Sequence, residues 1–470
     1  MGKKARGRPF SGIKRTPPSP KIKKPTQQIN LAVWGATPFC ITGFGTVMWE
    51  LLYNLFHSNP GVYNVYQTGI NFRGDFCDEF ALTGGPSNGR FRQWPAQVSL
   101  PNGKVNAFGQ TKFLELLKQV NVDLDAVFLF EDPFWVGGNL PGVDQKVSFV
   151  DLIKGTLKAR GMAHVPIVGY FPIDGIPKLE WVQNINKLDF PITYLNFGAK
   201  ACIDLVPEIQ GKLKVINHGI NLDNFFPISD AEKRTFRRSF FGDRFADQFM
   251  VLNVNRNQIR KLIPSNLQAF ARFKQEVHKS FMYLNMKPVD LGWDLPECCK
   301  SLGLEVGKDV VFFKDFTSKQ GLNVSDLNKV FNSADLYTST ACGGGWELSV
   351  TQAYATKTPV LIPENTSHIE LAGDQSNESD IRGLLFKSGA NLSQIMIFPN
   401  DFAVPRPLPD LEDLVSKMIF MHKNPNFGAK MAENAYSWVT TELSWSKKIV
   451  PKFHEIFLQA KKLKIDRMTK

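Results

Sequence analysis

The chain has 470 residues, 43% of them hydrophobic and 21% charged, which is ordinary for a globular protein and enough for two substantial domains. Its formal charge of +12 is lopsided: Lys3, Lys4, Arg6, Arg8, Lys14, Arg15, Lys21, Lys23 and Lys24 stand in residues 1–28 without one acid, leaving only +3 for the rest. The numbers exclude a uniformly basic body; no run of about 18 apolar residues offers a membrane span, and six cysteines without a CxxC pair or framework spacing exclude a disulfide scaffold.

Residues 1–28 also carry Pro9, Pro17, Pro18, Pro20 and Pro25, a composition that cannot bury enough surface to fold alone and reads as a disordered basic tail. Arg6-Gly7-Arg8-Pro9 resembles the core of an AT-hook, an extended segment laid in a DNA minor groove; a solvated tail with generic affinity for polyanions is the plainer reading. The segment has no apolar core of a secretory signal, so the expected location is cytoplasmic.

From Ile29 the pattern becomes strand and helix in alternation. INLAVWGA is a first buried strand, followed by Thr42-Gly43-Phe44-Gly45 and an apolar helix over Val47 to Phe56. Further strands are expected at Tyr63 to Ile70, Ala126 to Glu131, Val165 to Phe171, Ile192 to Phe197 and Val215 to Gly219, with a helix at Thr111 to Val120 whose Phe113, Leu116, Leu117 and Val120 share one face. Residues 72–107, rich in Gly, Pro and Asn, read as an irregular insertion or hairpin.

A second series follows Pro227: helix Asp230 to Phe240, strand Phe249 to Asn253, helix Asn266 to Val277, strands Phe281 to Met286 and Val310 to Phe313, and helix Leu327 to Phe331. Strand Leu336 to Thr340 then runs into Gly343-Gly344-Gly345-Trp346, a helix over Glu347 to Ala355 that includes Leu348 and Ser349, and strand Val360 to Pro363. Helices close the chain at Leu411 to Met421, Ala429 to Val439 and Trp445 to Lys461. The expected fold class is α/β, with two doubly wound parallel sheets in tandem around a cleft. The expected units are residues 29–226, residues 227–440 and a C-terminal helix, 441–470, packing back on the first.

In such sheets ligands bind beyond the carboxyl ends of the strands, and a glycine loop opening a helix presents free amides to an anion. Beside the triple glycine, Arg256, Arg260 and Lys261 follow directly on strand Phe249 to Asn253, where a guanidinium fork and an ammonium can meet a diphosphate. Gly43 and Gly45 open a helix in the same way in the first half.

These motifs resemble the group-1 retaining glycosyltransferases, whose GT-B fold joins two Rossmann-like domains around a sugar-nucleotide cleft. In that family Gly-Arg after the first strand of the second domain is followed five residues beyond the Arg by Lys; here Arg256 and Lys261 keep the spacing and Asn255 replaces the glycine. Asn217-His218-Gly219-Ile220-Asn221 with Phe226-Pro227 resembles the interdomain segment, Glu370 a recurrent acidic position, and GGGWELSVTQAYATKTPVLIP the donor motif. The resemblance covers about residues 30–460 and is strongest over 249–375.

The departures bear on chemistry. The donor motif of the family carries two carboxylates, and Gly344 and Gln352 occupy their positions. Gln352 can still hydrogen-bond a ribose. Glu347 can reach the donor sugar in place of the first carboxylate or merely complement a helix N-terminus. Where the family often has a His, Asp174 stands in Phe171-Pro172-Ile173-Asp174-Gly175, either orienting an acceptor hydroxyl or capping a turn; Glu131-Asp132 is a further cleft candidate. His218 reads equally as a linker hydrogen-bonder or a catalytic group. Asp123-Leu124-Asp125 precedes its strand and is a turn, not a metal motif, and no metal is expected.

The resemblance implies hexose transfer from a nucleotide-diphosphate sugar to a hydroxyl acceptor, glycan, lipid or protein-linked, with retention. It implies no cofactor beyond that co-substrate. Two alternatives stand: a DNA-modifying glycosyltransferase using the basic tail, and a catalytically degenerate GT-B protein that binds a sugar nucleotide without turnover.

Overall fold

The computed structural model describes residues 28–99, 105–138, 147–313, 321–399 and 401–469; the basic tail, bar Gln28, lies outside them. The chain forms two parallel sheets. In the first, seven strands lie in the order Gly89–Pro95, Tyr63–Ile70, Ile29–Ala36, Ala126–Phe130, Ile167–Phe171, Phe190–Thr193 and Lys214–Val215. The second has six, in the order Val310–Phe312, Ser280–Leu284, Phe249–Asn253, Leu336–Thr338, Val360–Pro363 and Leu384–Phe386. Both follow the doubly wound pattern, with order reversing beside the first strand of each sheet.

Burial explains why these segments are strands. Ile29–Ala36 and Ala126–Phe130 are covered on both faces by helices and carry near-continuous apolar runs, as central parallel strands must. One apolar cluster fills one side of the first sheet around Leu31, Val33, Phe128 and Tyr170, and a second fills the other around Trp34, Phe113, Leu129 and Phe171.

Three expectations need correction. Residues 72–107 are not merely an irregular insertion: Gly89–Pro95 joins the first sheet as its edge strand, parallel to Tyr63–Ile70. It escapes an apolar-run criterion because it buries Phe91 and leaves Arg90, Arg92 and Trp94 exposed. The strand expected at Ile192 to Phe197 ends at Thr193, and Asn196–Leu205 is helical; Tyr194 and Leu195 are buried in the turn, so their apolarity mimics strand. The last helix runs over Val450–Met468, after a π-helical turn at Trp445–Ile449.

That helix belongs spatially to the first sheet. Trp445, Ile449, Phe453, Ile456 and Phe457 enter the cluster around Leu31 and Phe128, and burial of each such side chain contributes about 1.5–3 kcal/mol. The Asp125 carboxylate accepts from the Asn30 N–H at 2.9 Å and from Lys464 at 3.1 Å, so the Asp123-Leu124-Asp125 turn ties the C-terminal helix to the first strand. The chain crosses between domains twice at one place: Ile220 N–H donates to Leu443 O, and a Cβ on Gly219 would lie 2.5 Å from the Trp445 ring. Among the described residues no helix is long and apolar enough to cross a membrane.

Candidate functional site

The order reversal in each sheet leaves a crevice beyond its strand ends, and the two crevices face each other. From the first domain come the turn Thr37 to Gly45 after the first strand, Glu131 and Asp132 after Ala126–Phe130, and Pro172 to Asp174 after Ile167–Phe171. From the second come Asn255 to Lys261 after Phe249–Asn253 and Ser339 to Glu347 after Leu336–Thr338.

The first-domain turn is compact. Thr42 caps the helix Gly43–Ser58, its hydroxyl accepting from Gly45 N–H at 3.0 Å. Gly45 is required there, since a Cβ would lie 2.3 Å from Cys40 O. A Cβ on Gly43 would sit 3.7 Å from Cδ1 of Leu348, so this turn abuts the first residue of the helix Leu348–Ala355. Tertiary structure thus brings the two glycine loops together.

Two of the three consecutive glycines serve the domain contact. A Cβ on Gly343, whose φ is 152°, would fall 2.2 Å from Asp174 O, and one on Gly345 would fall 2.4 Å from Cβ of Pro172. Gly344 meets only ordinary contact, 3.5 Å from Oγ of Ser367, and its N–H donates to Thr366 Oγ1. Trp346 bridges the cores of both domains and lies 5.5 Å, ring to ring, from His218.

Glu347, on which two readings stood open, is at the N-cap of Leu348–Ala355 but makes no cap hydrogen bond. Its carboxylate accepts from Lys261 Nζ at 3.0 Å, from Ser339 Oγ at 3.3 Å, and shares a short contact with His368 Nε2. All of this is buried, the Glu347 side chain being 2% exposed. Burial alone would raise its carboxyl, yet Lys261 and His368 outweigh burial and hold it well below the ordinary value. At Lys261 burial outweighs the pull of Glu347 and lowers the ammonium. With two basic partners on it the carboxylate is ionised, and Lys261 is its ion-pair partner.

The remaining cations divide. Arg256 is 55% exposed and pairs with Asp290 at 2.8 Å. Arg260 donates to Gly343 O at 3.0 Å and lies 3.4 Å from Asp174. Asn255 Nδ2 donates to Asn253 Oδ1, Ser349 Oγ shares a 2.7 Å hydrogen bond with the Tyr337 hydroxyl, and Gln352 is half-buried one turn further along the helix.

Asp174 is a bridge rather than only a turn cap. Arg406, from the second domain, donates to its backbone oxygen at 2.5 Å and to its carboxylate at 3.1 Å, and also binds Asp401 at 2.6 Å. Burial pushes the Asp174 carboxyl up, but Arg260 and Arg406 prevail and hold it below its ordinary value. Asp132, the neighbouring first-domain carboxylate, goes the other way: burial and the charge of Asp174 push it up to about 7, against partial relief from Arg260 and Arg406. His218 is buried, shares a 2.7 Å hydrogen bond with the Tyr170 hydroxyl, and is pushed down to about 3 by burial; its ring is neutral at physiological pH. Glu370 reaches across the cleft to accept from Asn196 Nδ2 and Phe197 N–H.

Sequence reasoning did not assign Arg406 or His368 to the site, and gave Arg260 no role of its own. Arg260 lay within the basic run; His368 and Arg406 carry no local signal, since a short helix, Thr366–Ala372, and a short strand, Pro405–Pro407, distant in sequence bring them in. Polar atoms of the site are left without partners: Trp346 Nε1, Ser367 Oγ, Thr193 Oγ1 and the Tyr194 hydroxyl are buried and unpaired, an arrangement that costs the fold unless a ligand or water meets them. No grouping of three or more His, Cys, Asp or Glu suited to a metal occurs among the described residues.

No family model matches the sequence, and no curated protein matches it either. Solved structures do match the fold. Anabaena HepE in complex with UDP and glucose superposes with a TM-score of 0.62 at 13% identity, covering 92% of this chain and 100% of that one. Sucrose-phosphate synthase from Thermosynechococcus elongatus gives 0.64 at 13% identity over 92% and 99% of the two chains, and a glycosyltransferase from Rickettsia africae 0.62 at 15% over 93% and 99%. The chain has the GT-B fold. In GT-B terms the facing crevices are the interdomain cleft, Arg256 to Lys261 and the triple glycine line its second-domain wall, and the Gly43 turn, Asp132 and Asp174 line the first.

Proposed function

We propose that this GT-B protein transfers a hexosyl group from a nucleotide-diphosphate sugar to a hydroxyl acceptor with retention, without metal or further cofactor, in the cytoplasm. The observation that carries the reading is the meeting of the two glycine loops at the order reversals of both sheets, with Arg256, Arg260 and Lys261 beside them. In the reaction the bond from the anomeric carbon to the diphosphate oxygen breaks, that carbon bonds the acceptor oxygen on the same face, and the hydroxyl proton leaves. Arg256 neutralises the departing diphosphate and the loop amides hold it as charge develops. Lys261, fixed by Glu347, adds a buried positive charge behind it. Glu347 thereby acts through Lys261 as a positioning residue, while Gln352 takes the ribose. The cleft side of the first domain offers Asp132 to the acceptor hydroxyl, poised near neutral pH as a proton acceptor must be. HepE, described in complex with UDP-glucose, supports the sugar-nucleotide class.

The test is product formation by the full chain with a panel of sugar nucleotides and mixed acceptors. Arg256→Ala is expected to lose transfer by ~2 kcal/mol or more of transition-state stabilisation, about thirtyfold, while stability barely changes, its exposed pair with Asp290 contributing about 0–1 kcal/mol. Turnover equal to wild type in that variant would sink the assignment. The pH profile provides a separate check. If ionised Asp132 takes the proton, kcat/KM rises with pH through about 7, and Asp132→Asn abolishes that rise; an unchanged profile removes Asp132 from the mechanism.

One observation favours the binding-only alternative. With Gly344 lacking a side chain and Glu347 wholly engaged, no free carboxylate faces the donor sugar from the donor motif. Calorimetric binding of a sugar nucleotide without transfer or hydrolysis by any acceptor would select it.

A further inference from the structure

A groove of about 760 Å3 lies on the first domain, away from the glycine loops. One wall is the edge strand Gly89–Pro95, the other the helix Gln110–Gln119, and the floor is Tyr66, Leu116 and Val120. Because side chains alternate along a strand, Arg90, Arg92 and Trp94 share the face that lines it, while Phe91 points into the core. Lys112 projects from the helix, paired with Glu115 at 2.8 Å, and Glu115 is the sole acid among the lining residues. Among the described residues neither Arg90 nor Arg92 forms an ion pair, although the charge of Arg92 is felt by Glu79, and Trp94 is 41% exposed.

Exposed arginines at every second position, followed by an open indole, line this edge strand opposite Asn64, Tyr66 and Thr68 of its neighbour. An edge needs charge to prevent pairing with other chains, but it does not need an aromatic in line with the charges. A charged track with an aromatic stacking surface is the pattern that binds single-stranded nucleic acid, phosphates on the cations and a base on the ring. The groove's geometry adds direction. Arg90 pairs in register with Asn64, and Asn64 with Asn30, so the groove's start lies two strand spacings, about 10 Å, from the point where the basic segment 1–28 enters the sheet. Trp94 stands four residues on, about 13 Å along the strand, at the edge from which the Gly43 turn leaves.

We propose that this groove binds single-stranded nucleic acid, with Arg90 and Arg92 holding successive phosphates and Trp94 stacking on a base. It makes no use of the donor-site residues, so it stands or falls apart from the transferase reading.

The probe is a fluorescein-labelled 20-mer of oligothymidine, titrated against the full chain by fluorescence anisotropy at several salt concentrations. Arg90→Ala/Arg92→Ala is expected to weaken binding at least tenfold and to flatten the slope of log affinity against log salt by about 1.4, two phosphate contacts at about 0.7 each. Trp94→Ala is expected to weaken it fivefold or more without changing the slope, and Glu115→Gln, which frees Lys112, to tighten it. Thermal unfolding of each variant accompanies the titrations, and Arg90→Lys/Arg92→Lys, which keeps the charge, is expected to keep the wild-type slope. The proposal is overturned if the oligonucleotide does not bind, if the double alanine variant binds it as wild type does, so that contact rests on residues 1–28 alone, or if heparin binds with the same arginine dependence while the oligonucleotide does not, which would make the ligand an acidic polysaccharide.

Discussion

Replacing Glu347 by Gln is expected to lower the stability of the protein by about 3–5 kcal/mol, the cost of leaving a buried charge without its partner. Lys261 is buried beside it, and His368 has no exposed surface at all, so neither can turn to water when the carboxylate goes. The pH dependence has a definite sign. The Glu347 carboxyl is held below its ordinary value of 4.5 in the fold, so its contribution is complete above that value and declines as pH falls below it. The gap between wild type and Glu347→Gln should therefore be widest at pH 7 and narrow at pH 3, measured by urea denaturation. Removing the pair together, as Lys261→Met/Glu347→Leu, should cost less than the single change, because an apolar pair leaves no orphan charge. A loss under about 1 kcal/mol for Glu347→Gln at pH 7 would mean that Glu347 and Lys261 form no buried ion pair.

The second large effect is expected at Arg406, whose side chain is 3% exposed and holds Asp174 across the cleft as well as Asp401 within its own domain. Arg406→Met should cost about 2–5 kcal/mol of interdomain contact, since truncating one partner of a buried, hydrogen-bonded charge pair strands the other. The consequence is geometric: without Arg406 the Gly343 and Gly345 contacts with Pro172 to Asp174 lose their clamp, and the domains open about the double crossing at Gly219 and Trp445. Small-angle scattering should report a larger radius of gyration for the variant. Arg406→Lys should not restore the closed form, because an ammonium cannot span Asp174 and Asp401 as a planar fork does. A scattering curve identical to wild type would assign the clamp to the glycine contacts alone.

Both predictions concern groups that sequence reading either missed or left open, and the reason is the same in each case. Strands and helices are written locally: the apolar run of Ile29–Ala36, the capping by Thr42 and the alternation around Leu336–Thr338 each follow from neighbouring residues. The switch-point loops are nearly as legible, because parallel strands joined by helices bring their carboxyl ends to one edge. The edge strand Gly89–Pro95 was illegible for a local reason too, since a strand buried on one side and lined with arginines on the other carries a weak apolar signal. Arg406 and His368 come from a short strand, Pro405–Pro407, and a short helix, Thr366–Ala372, whose composition says nothing of their destination.

What the sequence by itself determined is therefore the two-domain α/β architecture, the glycine loops and the basic run from Arg256 to Lys261. The tertiary structure alone decided how those charges are spent. It turned Lys261 inward onto Glu347 and His368, made Gly343 and Gly345 the contact points for Asp174, raised Asp132 beside Asp174 and left Arg256 toward solvent. Partner choice among charges depends on distances of a few ångströms between segments tens to hundreds of residues apart, and on how much water burial removes from each. Neither quantity is carried by the order of residues along a strand or helix; both arise only when the two sheets close on one another.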